Sequence, residues 1–152
     1  MAGDIIIDTN LLVLYVVGLT DTKYIRRHKR LNGFTEADFD VLSSMLASAQ
    51  RVVVAVNVLT EASNLLAFIR EPARTHIMQT FGQLITDHGD RYVPSKQAVE
   101  RPEFIWLGLA DAALLDLCSG GGMLLTADSR LYEAALRCGG RAEVFNSQQN
   151  FD

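Results

Sequence analysis

Apolar residues fall along the chain in short runs separated by helix-forming stretches with capping signals. Ile5, Ile6 and Ile7 form a β-branched triplet between Asp4 and Asp8, the pattern of a strand buried on both faces of a parallel sheet. Asp8-Thr9-Asn10 then offers capping side chains ahead of the apolar stretch Leu11 to Val17, so the first strand should feed directly into a helix. A polar, basic stretch from Asp21 to Asn32 closes at Gly33. Beyond it, Thr35 with Asp38 three residues later resembles a capping box, and Phe39, Leu42, Met45, Leu46 and Ala49 follow at helical spacing.

Arg51 to Val56 is a second β-branched run, with Asn57 expected to cap a helix over Val58 to Ile69. Pro72 marks the start of another helix, through Asp87, and Arg91 to Pro94 reads as a short strand or extended segment. The stretch Gln97 to Trp106 has no clear period. Gly108 to Ser119 is nearly all apolar and predicts a buried helix, stopped by Gly120-Gly121-Gly122. Met123 to Thr126 is a third strand, Ser129 to Arg137 a helix stopped by Gly139-Gly140, and Arg141 to Phe145 a last strand. Strands alternating with helices predict βαβ units, hence an α/β fold: a three-layer α/β/α sandwich around a central, mostly parallel sheet. Ligands in such sheets bind beyond the carboxyl ends of the strands, where helices begin.

The 152 residues suit one domain spanning 1–152, which buries about 70% of its unfolded surface. A hydrophobic fraction of 49% and a charged fraction of 21% place it among ordinary globular chains rather than disordered ones. Its apolar runs are shorter than the roughly 20 residues of a membrane span, and no basic leader with an apolar core opens the chain. Cys118 and Cys138 both fall in stretches read as helix, and buried thiols are expected there rather than a disulfide or a metal pair. These features together predict a cytoplasmic protein with no membrane partner. A net charge of −4 argues against coating nucleic acid by bulk electrostatics, but a local field at a site is a separate matter.

Four acids stand where the chain turns from strand to helix. Asp8 ends the first strand, Glu61 lies one turn into the helix after the second, Asp111 opens the apolar helix, and Asp128 follows the third strand. Taken singly, each has an ordinary explanation: helix N-caps for Asp8 and Asp128, a solvated helix face for Glu61, a favourable dipole interaction for Asp111. Asn64 shares a face with Glu61. Taken jointly, a parallel sheet brings the four carboxylates to one rim, where they repel one another unless cations neutralise them. Hard divalent ions such as Mg²⁺ or Mn²⁺ take oxygen ligands of this kind, and the expected chemistry is metal-assisted hydrolysis of a phosphodiester, with one or two ions.

Ile5-Ile6-Ile7-Asp8-Thr9-Asn10, Thr60-Glu61, Leu109-Ala110-Asp111-Ala112 and Leu124-Leu125-Thr126-Ala127-Asp128 resemble, in order, the four acidic motifs of PIN-domain nucleases, across Asp4 to Phe145. The resemblance implies metal-binding, catalytic roles for Asp8, Glu61, Asp111 and Asp128, with Asn10 and Thr126 supporting them by hydrogen bonds. It implies RNA as substrate and, by analogy with VapC-type toxins, a role as the toxin of a toxin–antitoxin pair with a cognate antitoxin partner and a homodimeric assembly. The segment between Asp21 and Gln50 is larger than in a minimal toxin, a departure that bears on the toxin role more than on the nuclease chemistry.

Lys23, Arg26, Arg27, Lys29 and Arg30, with Tyr24 and His28 between them, could grip phosphates or form a solvated helix face. Asp116 is rotated about 140° from Asp111 on a helix, and Asp4 sits at the opposite end of its strand, so both fall outside the cluster. His28, His76 and His88 lack metal-ligand spacing, and Phe104 and Trp106 are expected in the core. Two other readings compete: a phosphatase using Asp8 as nucleophile, against which Asn10 stands where a second Asp is usual, and a non-catalytic PIN-like module that binds RNA or protein.

Overall fold

A computed structural model describes residues 3–146. In chain order the elements are β1 (Asp4–Ile7), α1 (Thr9–Thr20), α2 (Tyr24–Arg27), α3 (Glu36–Ala47), β2 (Arg51–Val53), α4 (Val56–Leu66) and α5 (Ala73–His88). There follow α6 (Ser95–Ala98), α7 (Phe104–Leu107), α8 (Leu109–Cys118), β3 (Met123–Thr126), α9 (Ser129–Arg137) and β4 (Arg141–Val144), with a 3₁₀ turn at Lys29–Leu31 between α2 and α3. The four strands form one sheet in the order β2-β1-β3-β4, every pair parallel, flanked by helices in an α/β/α sandwich. Ile7 pairs with Leu125 and Thr126 with Val144, so β1 and β3 occupy the sheet centre. That placement explains why Ile5, Ile6, Ile7, Leu124 and Leu125 are all buried.

Helix α1 is apolar around most of its circumference because α3, α4 and α5 all pack on it. Gly18 lies so close to the Phe39 ring of α3 that a Cβ there would overlap Phe39 Cδ1. The capping box forms as expected: Thr35 Oγ1 accepts from Asp38 N at 3.2 Å, and Asp38 Oδ2 from Thr35 N at 2.8 Å.

Several expectations are corrected. Strand β2 stops at Val53, and α4 begins at Val56 behind Ala55, so Asn57 is inside the helix and caps nothing. Ala55 instead bridges to Arg91, and the rest of Arg91 to Pro94, read as a short strand or extended segment, belongs to no strand. The unassigned Gln97 to Trp106 stretch contains the end of α6 and most of α7, each one turn long. Cys118 is buried and free, but Cys138 is exposed, at the C-cap of α9, where its Sγ lies 3.3 Å from Arg101 Nη2. Trp106 is 44% exposed rather than in the core, while Phe104 is half-buried against Val93, Ala98, Ala112 and Ala113. Among the described residues no helix is long and apolar enough to cross a membrane.

Candidate functional site

Strand β1 delivers Asp8 to the sheet rim, and hydrogen bonding there fixes both its oxygens. Oδ1 accepts from Leu11 N at 3.3 Å as the N-cap of α1, and Oδ2 accepts from the hydroxyl of Thr126 at the end of β3. The side chain is buried beside the chain's own core. Burial pushes the Asp8 carboxyl up from 3.8 to about 6, the nearby Asp128 charge adds to the rise, and the bonds from Thr126 and Leu11 hold it back.

Thr126 is the hub of the rim. Fully buried, it donates to Asp8 and accepts from Asp128 N at 3.0 Å, tying the ends of β1 and β3 to the start of α9. Asp128 caps α9 through Oδ1, which accepts from Arg130 N at 2.9 Å and Leu131 N at 3.4 Å. Both capping readings therefore hold, and neither removes these acids from the rim.

Asp111 enters from the first turn of α8, which packs on β1, β3, α4 and α9. It is half-buried, and its carboxyl is pushed from 3.8 to about 7, first by burial and then by repulsion from Asp128, Asp8 and Glu61, with Arg130 opposing. Glu61 is exposed on α4, which packs on α1 and α8. The field at Asp111 thus registers all three other acids, so the fold brings Asp8, Glu61, Asp111 and Asp128 to one region. The donor set is all oxygen and mutually repelling, which suits a hard divalent cation. Among the described residues, no three acidic, imidazole or thiol side chains form a ready-made ion cage.

The remaining expected site residues divide. Thr126 donates a hydrogen bond to Asp8 and accepts one from Asp128 N. Asn10 is exposed in the first turn of α1, and Asn64 lines a hollow of about 310 Å³ with Leu59, Phe81 and Ile85 that none of the four acids lines. Asp4 pairs with Arg51 at 3.0 Å and Asp116 with Arg101 at 3.7 Å, outside the cluster as expected. A cavity of about 410 Å³ between Leu46, Arg51, Val53, His88 and Arg91 includes none of the four acids either.

No family model matches the chain, and no curated protein matches it. A domain of a functionally unknown protein from Methanocaldococcus jannaschii DSM 2661 has a similar structure. Its TM-score is 0.51 at 16% identity, covering 96% of this chain and 93% of that one. The likeness extends over essentially the whole fold and concerns the fold alone.

Of the basic segment, Lys23, Arg26, Arg27, Lys29 and Arg30 are all exposed. Arg26 pairs with Glu36 at 3.4 Å, Arg27 lies over Tyr24, and Arg30 lies 4.8 Å from the centroid of the Phe68 ring. His28 is a satisfied core histidine: Nδ1 accepts from Arg30 N, Nε2 bonds Leu66 O at 3.1 Å, and burial holds its pKa down. His76 is exposed and bonded to the Tyr24 hydroxyl. Sequence reasoning missed Arg130, whose charge reaches Asp111 and whose Nη2 donates to Trp106 O at 3.2 Å. Its position two residues after Asp128 was the available signal.

Proposed function

We propose that the chain is a metal-dependent endoribonuclease that hydrolyses RNA phosphodiester bonds at the Asp8–Glu61–Asp111–Asp128 rim. The observation that carries this reading is that Thr126 ties Asp8 to the start of α9 behind Asp128 while α8, with Asp111 in its first turn, packs on β1, β3, α4 and α9. Burial and the three other acids push the Asp111 carboxyl up in that setting. A purely structural acid in that setting would be a liability, since a half-buried carboxylate facing like charges destabilises the fold.

Asp8, Asp111, Asp128 and Glu61 would hold Mg²⁺ or Mn²⁺, which when bound supplies water activation and neutralises charge on the leaving oxygen. The chain's own part is to position. Thr126 fixes the Asp8 carboxyl and the start of α9 in one geometry, and the buried strand ends keep bulk water from the inner side of the rim. In the hydrolysis a water oxygen attacks phosphorus and passes a proton to a carboxylate oxygen of the rim, while the bond to the leaving oxygen breaks and that oxygen takes a proton from solvent to depart as a hydroxyl. The toxin role, the antitoxin partner and the homodimer extend this proposal by the resemblance to VapC-type toxins.

Defined RNAs and single-stranded DNA incubated with Mn²⁺ or with EDTA test the reading. RNA cleavage only in Mn²⁺, slowed on the order of 100-fold or more by Asp111→Asn, supports it. Equal, residual cleavage by both proteins in both conditions overturns it in favour of the non-catalytic module.

A further inference from the structure

Trp106 is the one tryptophan of the sequence, and it is 44% exposed beside Ile105, which is 84% exposed. Two guanidiniums from α9 lie over its ring, Arg130 and Arg137, each 5.8 Å from the centroid. Arg130 also donates to the Trp106 carbonyl oxygen, and its own backbone N–H donates to Asp128. The ring therefore stands five residues ahead of Asp111, joined by Arg130 to Asp128. An aromatic face with two cations sits on the border of an anionic rim.

A chain fragment that is planar and apolar in one part and anionic in the next fits that border. Nucleobases stack on aromatic faces regardless of sequence, and arginine pairs with phosphate oxygens in a planar fork. We infer that Trp106, Arg130 and Arg137 form the seat for one base and its flanking phosphate of a single-stranded nucleic acid, setting the neighbouring phosphodiester over the carboxylate rim. The inference rests on the nuclease reading for the fate of that phosphodiester, but the seat itself is a binding site with its own readout. Arg137 can swing from the ring to a phosphate freely, because its side chain is 62% exposed and its ion pair with Glu133 is a long 3.9 Å.

Because Trp106 is the sole indole, its fluorescence reports the seat directly. Titration with a short single-stranded RNA in EDTA should quench the emission to saturation. Anisotropy of a labelled strand should show binding weakened about tenfold or more by Trp106→Ala and largely restored by Trp106→Tyr. Arg130→Ala and Arg137→Ala should each reduce the steepness of the salt dependence by about one phosphate contact. Absence of quenching, or one affinity for all these proteins, overturns the seat. Concentration-dependent dimerisation abolished by Ile105→Glu would assign the patch to a second copy of the chain and also overturn it. If the strand quenches Trp106 but Mn²⁺ brings no cleavage, the seat stands and the nuclease reading falls. If RNA is cut and Trp106→Ala leaves KM unchanged, the nuclease reading stands and the seat falls.

Discussion

Replacing Asp111 by Asn preserves shape and removes one charge, and its effect on stability should reverse with pH and with metal. The folded chain holds the Asp111 proton to about 7, against 3.8 for an ordinary aspartate. Folding therefore favours the protonated acid. Its contribution is intact below about pH 4 and is lost as the pH climbs toward 7, because the unfolded chain releases its proton first. One pKa unit is worth about 1.36 kcal/mol, but the side chain is only half-buried, so screening leaves a penalty on the order of 1 to 2 kcal/mol at about pH 8. Asn escapes that penalty. In EDTA at about pH 8 the variant should melt roughly 3 to 6 °C above the native protein, and at about pH 4 the two should coincide.

Divalent metal should invert the comparison. Mg²⁺ at about 100 times its dissociation constant stabilises by about 2.7 kcal/mol, so the native protein gains several degrees and the variant little. The gain should shrink toward pH 5, where protons compete for the Asp8 and Asp111 oxygens. Thermal melting of both proteins under the four combinations of pH and metal is sufficient. A variant that melts below the native protein in EDTA at pH 8, with neither protein responding to Mg²⁺, refutes both the repulsion argument and the metal site.

Thr126→Val removes the donor to Asp8 and the acceptor of Asp128 N, and urea unfolding should show a loss of about 1 to 3 kcal/mol. NMR titration should find the Asp8 carboxyl higher in that variant, and Thr126→Ser should restore both readouts. Gly18→Ala drives a methyl into the Phe39 ring and should cost about 1 to 3 kcal/mol in the same assay without altering any cleavage parameter beyond that instability. Thr35→Ala opens the capping box of α3 and should lower stability by about 1 kcal/mol, with Thr35→Ser close to native.

The parts of the fold that could be read in the sequence are those where local pattern and tertiary burial agree. Ile5 to Ile7 announced a central strand because both faces of β1 are covered, and Thr35 with Asp38 announced a helix start because the box closes within four residues. Asn57 misled because strand β2 ends early and Ala55 is drawn to Arg91, a partner 36 positions away that no local signal specifies. Trp106 misled for a related reason. A one-turn helix between Glu103 and Gly108 offers its large side chains no continuous face to bury, and the arginines that cover the ring arrive from α9. Asp8, Glu61 and Asp128 could be placed after strand ends from the alternation alone, whereas Asp111 follows the one-turn helix α7 and not a strand, against the expectation for all four. The hydroxyl that joins Asp8 and Asp128 is named by the resemblance and not by the alternation, since Thr126 and Asp8 are 118 positions apart.

Capping and chemistry had looked like rival explanations of Asp8 and Asp128, yet the geometry makes one a means to the other. Each acid spends Oδ1 on backbone N–H groups of the helix it starts. An ionised carboxylate has about four lone-pair sites, so a cap uses a fraction of its capacity and fixes the direction of the remainder. A helix start just past a strand end therefore aims an acid at the rim with its rotamer already set. Asp111 lacks that anchorage: α8 begins behind Gly108 with no side-chain cap, and it is Asp111 that carries the larger upward shift. With Asp8 and Asp128 anchored as caps and Glu61 exposed, a bound cation gains most from the half-buried, unanchored Asp111. For that reason Asp111, rather than either capping residue, is where substitution separates the stability of the fold from the chemistry of the rim.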